Sequence, residues 1–345
     1  QDWKIPLQYG IRQVYGENGG PGGLFHSLRQ IPPIIEICED INLICPDAVV
    51  FNFSNPMQRI CHAVTTKFPD LRFIGLCHEI KSMNRQLPDL METEMHNIEY
   101  RAAGLNHLSI LLEARYKNTG KDGYPIIKQN FDAYFSDLVN KHDAKPSKPG
   151  AERGVFRKLF KTYGYLPITT DSHLGEYIQW AYSVADHDAI LDFYDNYKEK
   201  CLAFYDNKTS YDHFFDLKNL DTHERVVPII EGILSDSAYE EPAINIPNNG
   251  YIECLPKDIV VEVPGIINKS GISGISFKNY PAAFGSLLNS QSGVIQMTTD
   301  AVLNASKHSA YLALLADPVV NDSYQAEKLL NNMLETQGKF LYYLK

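Results

Sequence analysis

Two apolar runs, residues 48–53 and 71–76, are short, bounded by Pro or Asp, and lack polar alternation. That is the pattern of strands buried on both faces of a parallel sheet. Between them, residues 57–66 carry a helical period that opens behind Asn55-Pro56, with Pro at a tolerated first-turn position. Upstream, apolar side chains at 34, 35, 37, 38, 41 and 44 predict a helix with its core on one side and Cys38 and Cys45 as core thiols. Before that helix, Gly19 to Gly23 holds four glycines and a proline. This predicts either a flexible turn or a loop whose backbone lets a ligand approach, followed by a helix start.

A third extended run ends in Gly104-Leu105-Asn106-His107. From 111 to 149 the pattern becomes irregular: a hairpin, a short helix and the Lys/Pro-rich surface loop KHDAKPSKPG. Residues 154–164 form an amphipathic helix, and a second helix begins behind Thr170-Asp171-Ser172. Residues 185–239 read as surface helices, with the tract KTSYDHFFDLKNL matching no motif. Residues 243–249, 251–254 and 259–263 predict antiparallel strands, 297–315 a long helix stopped by Asp317-Pro318, and 326–343 a closing helix.

Each strand of the first pair ends in a polar cluster: Asn52, Ser54 and Asn55 after one, Cys77, His78 and Glu79 after the other. Ligands of open α/β sheets bind outside the carboxyl ends of strands, so both clusters should face one crevice. A Cys and a His from separate strand ends can share a metal and leave positions open for substrate. The formal net charge of -10 argues against nucleic acid and anionic membrane surfaces as partners. No apolar run approaches the roughly 20 residues of a membrane span. The six cysteines are scattered, unlike a secreted disulfide scaffold, which points to reduced thiols and the cytoplasm.

Several motifs then converge. They are Gly20-Pro21-Gly22-Gly23 with Leu28-Arg29-Gln30-Ile31-Pro32, CPDA at 45–48, Asn55-Pro56-Met57, Gly75-Leu76-Cys77-His78 and Ala103-Gly104-Leu105-Asn106-His107. Gly164-Tyr165, His173, Glu176-Tyr177 and VVEVP at 260–264 follow. In this order they resemble glycoside hydrolase family 4, the NAD- and metal-dependent glycosidases, and within it the α-galactosidase branch most.

The resemblance implies an α/β fold with a lactate/malate dehydrogenase-like plan. Residues 1–110 would be the remainder of a Rossmann-like NAD-binding domain and 111–345 an α+β substrate and oligomerisation domain. No GxGxxG turn is present; the resemblance implies either that roughly the first 90 residues of the family's plan, the opening βαβ part, lie upstream of Gln1, or that the adenine half of NAD is not held in the usual way. It implies NAD and Mn2+ or another divalent ion as cofactors, a small glycoside as partner, and a homodimer or homotetramer. Cys77 and His107 would hold the metal. Asn52, Asn55, Gly22 and Gly23 would touch the cofactor, and Asn55, Asn106, Arg29 and His173 the substrate. His26 stands where family members often carry Arg.

Tyr165 is the expected proton-abstracting base, with Tyr163 and Asp171 as alternatives, and His78 the expected proton donor to the leaving oxygen or a hydrogen-bonding neighbour of the metal. The implied reaction oxidises sugar C3 with NAD, deprotonates C2, eliminates the aglycone, adds water and reduces C3 again; family 4 is a known exception to two-carboxylate hydrolysis. The expected substrate is an unphosphorylated α-galactoside, with α-glucoside and α-glucuronide as alternatives. A 2-hydroxy acid dehydrogenase and a non-enzymatic sugar-binding homologue are the rival classes.

Overall fold

The computed structural model describes residues 1–141, 153–206 and 225–345. The tract KTSYDHFFDLKNL and all but the first residue of KHDAKPSKPG lie outside the described residues. A seven-stranded mixed sheet is the centre of the molecule, built from β1 (Val49–Asn52), β2 (Arg72–Gly75), β3 (Ile98–Leu105), β4 (Leu108–Tyr116), β5 (Tyr239–Pro247), β6 (Val260–Asn268) and β7 (Gly271–Gly274). Its order is β1-β2-β5-β6-β3-β4, with β7 paired to β6. The expected parallel pair is present: β1 lies beside β2 in register from Val49↔Arg72 to Asn52↔Gly75, and the helix Met57–Lys67 makes the crossover. That unit is the Rossmann-like part, and antiparallel pairing of the other strands gives the α+β part.

The division at residue 110 falls inside β4, and β5 and β6 stand between β2 and β3. Both halves of the chain therefore share one sheet.

Apolar side chains of the sheet and of the helices Ser82–Met91, Tyr124–Lys141 and Gly154–Tyr163 merge into the main core. A second core lies where Leu24, Phe25 and Leu28 of the helix Gly20–Ile44 meet Ala310, Leu314, Leu329 and Met333. Dehydrating such side chains contributes about 1.5–3 kcal/mol each.

Four local expectations change. The glycine-rich segment is not a loop but the first turn of the helix Gly20–Ile44, with Gly19 as N-cap and Pro21 in the first turn. A Cβ on Gly22 would sit 2.5 Å from Gly16 Cα, and one on Gly23 2.4 Å from the Asn18 carbonyl carbon, so both glycines exist to let the turn at 16–18 close on the helix. Cys45 is exposed rather than a core thiol, although all six cysteines are free. Residues 251–254 are not a strand: the Asn248 side chain donates to the carbonyls of Ile252, Leu255 and Pro256 at 2.9–3.1 Å and rolls them into a turn. The helix expected at 297–315 is two, Ala282–Leu303 and Lys307–Ala316, broken where Ala305 turns left-handed and the Ser306 hydroxyl caps the Ser309 N–H.

Candidate active site

One register row crosses four strands. Gly75 on β2 faces Asn245 on β5, Asn245 faces Glu262 on β6, and Glu262 faces Gly104 on β3. A Cβ on Gly75 would come within 2.7 Å of Cys61 Sγ and one on Gly104 within 2.4 Å of the Leu108 carbonyl oxygen, so crowding demands glycine at both ends of the row. Just beyond the two glycines the chain delivers Cys77 and His107, whose Sγ and Nε2 stand 3.5 Å apart. His107 occupies the left-handed region at φ 61° in the β3–β4 turn. A non-glycine residue there costs about 1–3 kcal/mol and persists where the surroundings over-determine it.

Glu262 supplies that determination. Its carboxylate, 2% exposed, accepts from Asn106 Nδ2 and Ser109 Oγ at 2.8 Å each and from Asn245 Nδ2 at 3.3 Å. The Asn106 backbone N–H meanwhile donates to Gln58 Oε1 at 3.1 Å, so the turn carrying His107 is held from both sides. Burial, opposed by these three donors, pushes the Glu262 carboxyl up.

Above this floor lies a cavity of about 320 Å³. Its lining includes Cys77, His78, Glu79, His107 and His173, together with Glu17 and Asn55, which are joined by an Nδ2 to Oε1 hydrogen bond of 3.2 Å. The His173 ring stacks on His107 with centroids 4.1 Å apart, and its Nε2 lies 4.0 Å from Glu79 Oε1. Burial, then the neighbouring His173 and His78, hold His107 well below its usual range, in the neutral form that binds metals. Burial, then the carboxylates of Glu262 and Glu79, push the Cys77 thiol well up.

The donors suit a divalent cation. A thiolate at about 2.3 Å and an imidazole at about 2.0–2.1 Å from one tetrahedral ion are about 3.6 Å apart, against the 3.5 Å seen here. The Nδ1 atoms of His107 and His173 are buried without a hydrogen-bond partner. Glu79, His107 and His173 also form a group whose ligating atoms lie within 4.8 Å of one another.

Of the residues expected at the site, the structure thus gathers Cys77, His107, His78, His173 and Asn55. It places the others elsewhere. Tyr165 packs edge-on against Tyr124, whose hydroxyl is bonded to the Leu111 carbonyl, and does not line the cavity; Tyr163 packs edge-on against Phe284. Asp171 is fully buried and accepts the Val155 and Phe156 N–H groups at 2.8 Å each, capping the helix Gly154–Tyr163. Arg29 forms a two-pronged ion pair with Asp2 and bonds Gln337. Asn106 lies in the cavity floor with its amide given to Glu262, and Asn52 folds back on Ser54. Gly22 and Gly23 are closed off by the turn at 16–18.

Sequence reasoning placed Glu79 in the cluster facing the crevice and Glu176 and Glu262 in motifs without assigning them roles, and it did not single out Glu17 or the aromatic side chains Phe193, Tyr194 and Tyr197 of the helix His187–Asp206. A glutamate inside the apolar run VVEVP was a usable signal for Glu262. Glu176 is fully buried and receives the N–H groups of Glu17, Asn18 and Gly19 at 2.5, 2.8 and 3.0 Å, which fixes the loop that presents Glu17.

Comparison with known proteins identifies the family. The model of the family 4 glycosyl hydrolases matches residues 1–93, and that of the family 4 glycosyl hydrolase C-terminal domain residues 102–320. An α-glucosidase of Erwinia rhapontici is 45% identical, the match covering all of this chain and 79% of that protein. An α-galactosidase of Bacillus subtilis is 30% identical, covering 92% of this chain and 71% of that one. The likeness therefore leans to the glucosidase, where the motifs had suggested the galactosidase branch. The lplD protein of Bacillus subtilis superposes with TM-score 0.82 at 26% identity, over 96% of this chain and 79% of that one. A 6-phospho-α-glucosidase from gut microorganisms, solved with NAD and Mn2+, superposes with TM-score 0.77 at 21% identity, over 98% and 79%.

Proposed function

The chain belongs to family 4 of the glycosyl hydrolases, and on that premise we propose that it hydrolyses a neutral, unphosphorylated α-glycoside, an α-glucoside first. One observation carries the choice of a neutral sugar: the cavity is lined by the carboxylates of Glu17 and Glu79 and, among the described residues, by no Lys or Arg. A 6-phosphate or a uronate asks for a guanidinium or ammonium partner and would here meet like charge. The 45% identity to an α-glucosidase favours glucoside over galactoside. The glycosidase family sets aside the dehydrogenase reading.

In this proposal Cys77 and His107 hold a divalent cation, as their spacing suits. The cation supplies positive charge for sugar oxygens when bound. Asn55 and Glu17 grip sugar hydroxyls, the amide donating and the carboxylate accepting, and their mutual hydrogen bond keeps both aimed into the cavity. His78, on the cavity wall, passes a proton to the leaving oxygen. Phe193, Tyr194 and Tyr197 add the apolar part of the lining that limits water. A nicotinamide cofactor enters on likeness to the relative solved with NAD. Of the four residues expected to touch it only Asn55 lines the cavity, so the present geometry supports no step through it.

The test is hydrolysis of 4-nitrophenyl α-glucoside with and without NAD, Mn2+ and reductant, repeated with substrate deuterated at C2. Dependence on all three additions and a slower deuterated substrate support oxidation and elimination. Activity indifferent to all three, at equal rates for both isotopologues, rejects it.

A further inference from the structure

The helix His187–Asp206 carries none of the motifs on which the family resemblance rests, yet its Phe193, Tyr194 and Tyr197 line the cavity above Cys77 and His107. We propose that Phe193 and Tyr197 form the subsite for the leaving group, so that this chain prefers α-glucosides whose aglycone carries a ring. The inference rests on the α-glucosidase reading above and deepens it.

Three observations carry it. Met57, Leu76 and His107 in the lining are buried, whereas Phe193 is 44% and Tyr197 58% exposed. Side chains that line a cavity and still face water stand at its mouth, and a leaving alcohol has to pass the mouth to depart. The two rings lie one helical turn apart on one side of the helix, with planes 7° from parallel and centroids 6.4 Å apart. The hydroxyl side of the sugar already has its partners in Asn55 and Glu17, bonded to each other at 3.2 Å. Phe53, 42% exposed, is the other exposed aromatic of the lining, but it follows β1 at the strand end where open α/β sheets bind their cofactors.

Local structure explains why these rings are left in water. Ala189 and Ile190 are buried and tie the start of the helix to the core. Tyr194 is pinned next, its ring stacked on Tyr15 with centroids 4.0 Å apart and its hydroxyl 3.5 Å from Ser172 Oγ. Phe193 meets the Tyr194 ring edge-on at 5.1 Å. The helix is thus held at 189–194, while Phe193 and Tyr197 keep much of their surface open beside the cavity. Covering exposed aromatic surface is favourable, and Tyr adds a polar tip to an apolar body. A sugar ring, with its C–H face and rim of hydroxyls, or an aryl ring can cover it; a fluoride leaving group brings no ring to do so.

The test compares kcat/KM for 4-nitrophenyl α-glucoside with that for α-glucosyl fluoride, which has the same sugar and no ring to release, using the full-length chain with NAD, Mn2+ and reductant. Phe193→Ala and Tyr197→Ala should each lower the ratio of the two by roughly five- to tenfold. Phe193→Tyr and Tyr197→Phe, which keep the ring, should restore the wild-type ratio, and melting curves confirm that the alanine variants fold. Maltose in place of the nitrophenyl glucoside identifies the ring: a matching fall assigns the mouth to a sugar ring, and a fall for the nitrophenyl glucoside alone assigns it to aryl rings. If both alanine variants keep the wild-type ratio, whatever their absolute rates, the leaving-group subsite is wrong while the glucosidase reading stands. A wild-type chain that cleaves neither glucoside overturns that reading, and the subsite with it.

Discussion

Asn106 donates its side-chain amide to Glu262 across 2.8 Å, joining the turn that carries His107 to the first part of β6, 156 residues away in the chain. With Ser109 and Asn245 as further donors, this buried carboxylate locks the floor of the site. Glu262→Ala would strip the buried Asn106 amide of its acceptor, at a cost of about 1–3 kcal/mol, while Ser109 Oγ and Asn245 Nδ2 would keep the Leu105 and Gly75 carbonyls. A fall in melting temperature is expected, with a weaker Co2+ affinity in whatever folds. Glu262→Gln keeps shape and should recover most of the stability. A Glu262→Ala chain as stable as wild type would show that the floor is held by something else.

The row Gly75–Asn245–Glu262–Gly104 was only partly legible in the sequence. Strands at 48–53 and 71–76 could be read because both are short and uniformly apolar, and the structure pairs them in parallel. Cys77, His78, Asn55, His107 and His173 could be placed because family motifs carry them. That β5 and β6, some 170 residues later, insert between β2 and β3 is a long-range pairing that no local period encodes. The same holds for Glu17, which reaches the cavity only because Glu176 pins its loop.

Gly104→Ala tests the register row directly. The new methyl would overlap the Leu108 carbonyl oxygen, a backbone atom in the turn beside His107 that cannot swing aside. Overpacking of this kind costs about 1–3 kcal/mol, and here it should also separate His107 from Cys77. Loss of Co2+ affinity in a chain that still folds is the expected result; unchanged affinity and melting temperature would count against the row as the organiser of the site.

Tyr165 and Asp171 had been the expected bases, and both lie off the cavity. Tyr165→Phe should leave kcat within about threefold, since its ring packs on Tyr124 and not among the side chains lining the cavity, whereas acid–base catalysts typically supply about 10²–10⁴-fold. Asp171→Asn should lower stability by about 1–2 kcal/mol through the lost cap. A hundredfold or greater loss of kcat in Tyr165→Phe, with KM unchanged, would return the base to that loop.

Burial pushes the Glu176 carboxyl up to about 7 and that of Asp317 up to about 6. In the folded chain both keep a proton at pH values where the unfolded chain, with ordinary values of 4.5 and 3.8, has released it. Their contribution to stability is therefore fully present at low pH and declines as pH rises from about 4 to about 7. Glu176→Gln cannot titrate, so its melting temperature should fall less than that of wild type between pH 5 and pH 7. Parallel curves for the two proteins would remove Glu176 from the pH response.

The charge of the sugar is the most direct test of the account. With NAD, Mn2+ and reductant present, kcat/KM is measured for 4-nitrophenyl α-glucoside, its 6-phosphate and the matching α-glucuronide. A cavity lined by Glu17 and Glu79 without a Lys or Arg among the described residues predicts a preference for the neutral glucoside of about a hundredfold or more. A chain that prefers the phosphate or the uronate contradicts it.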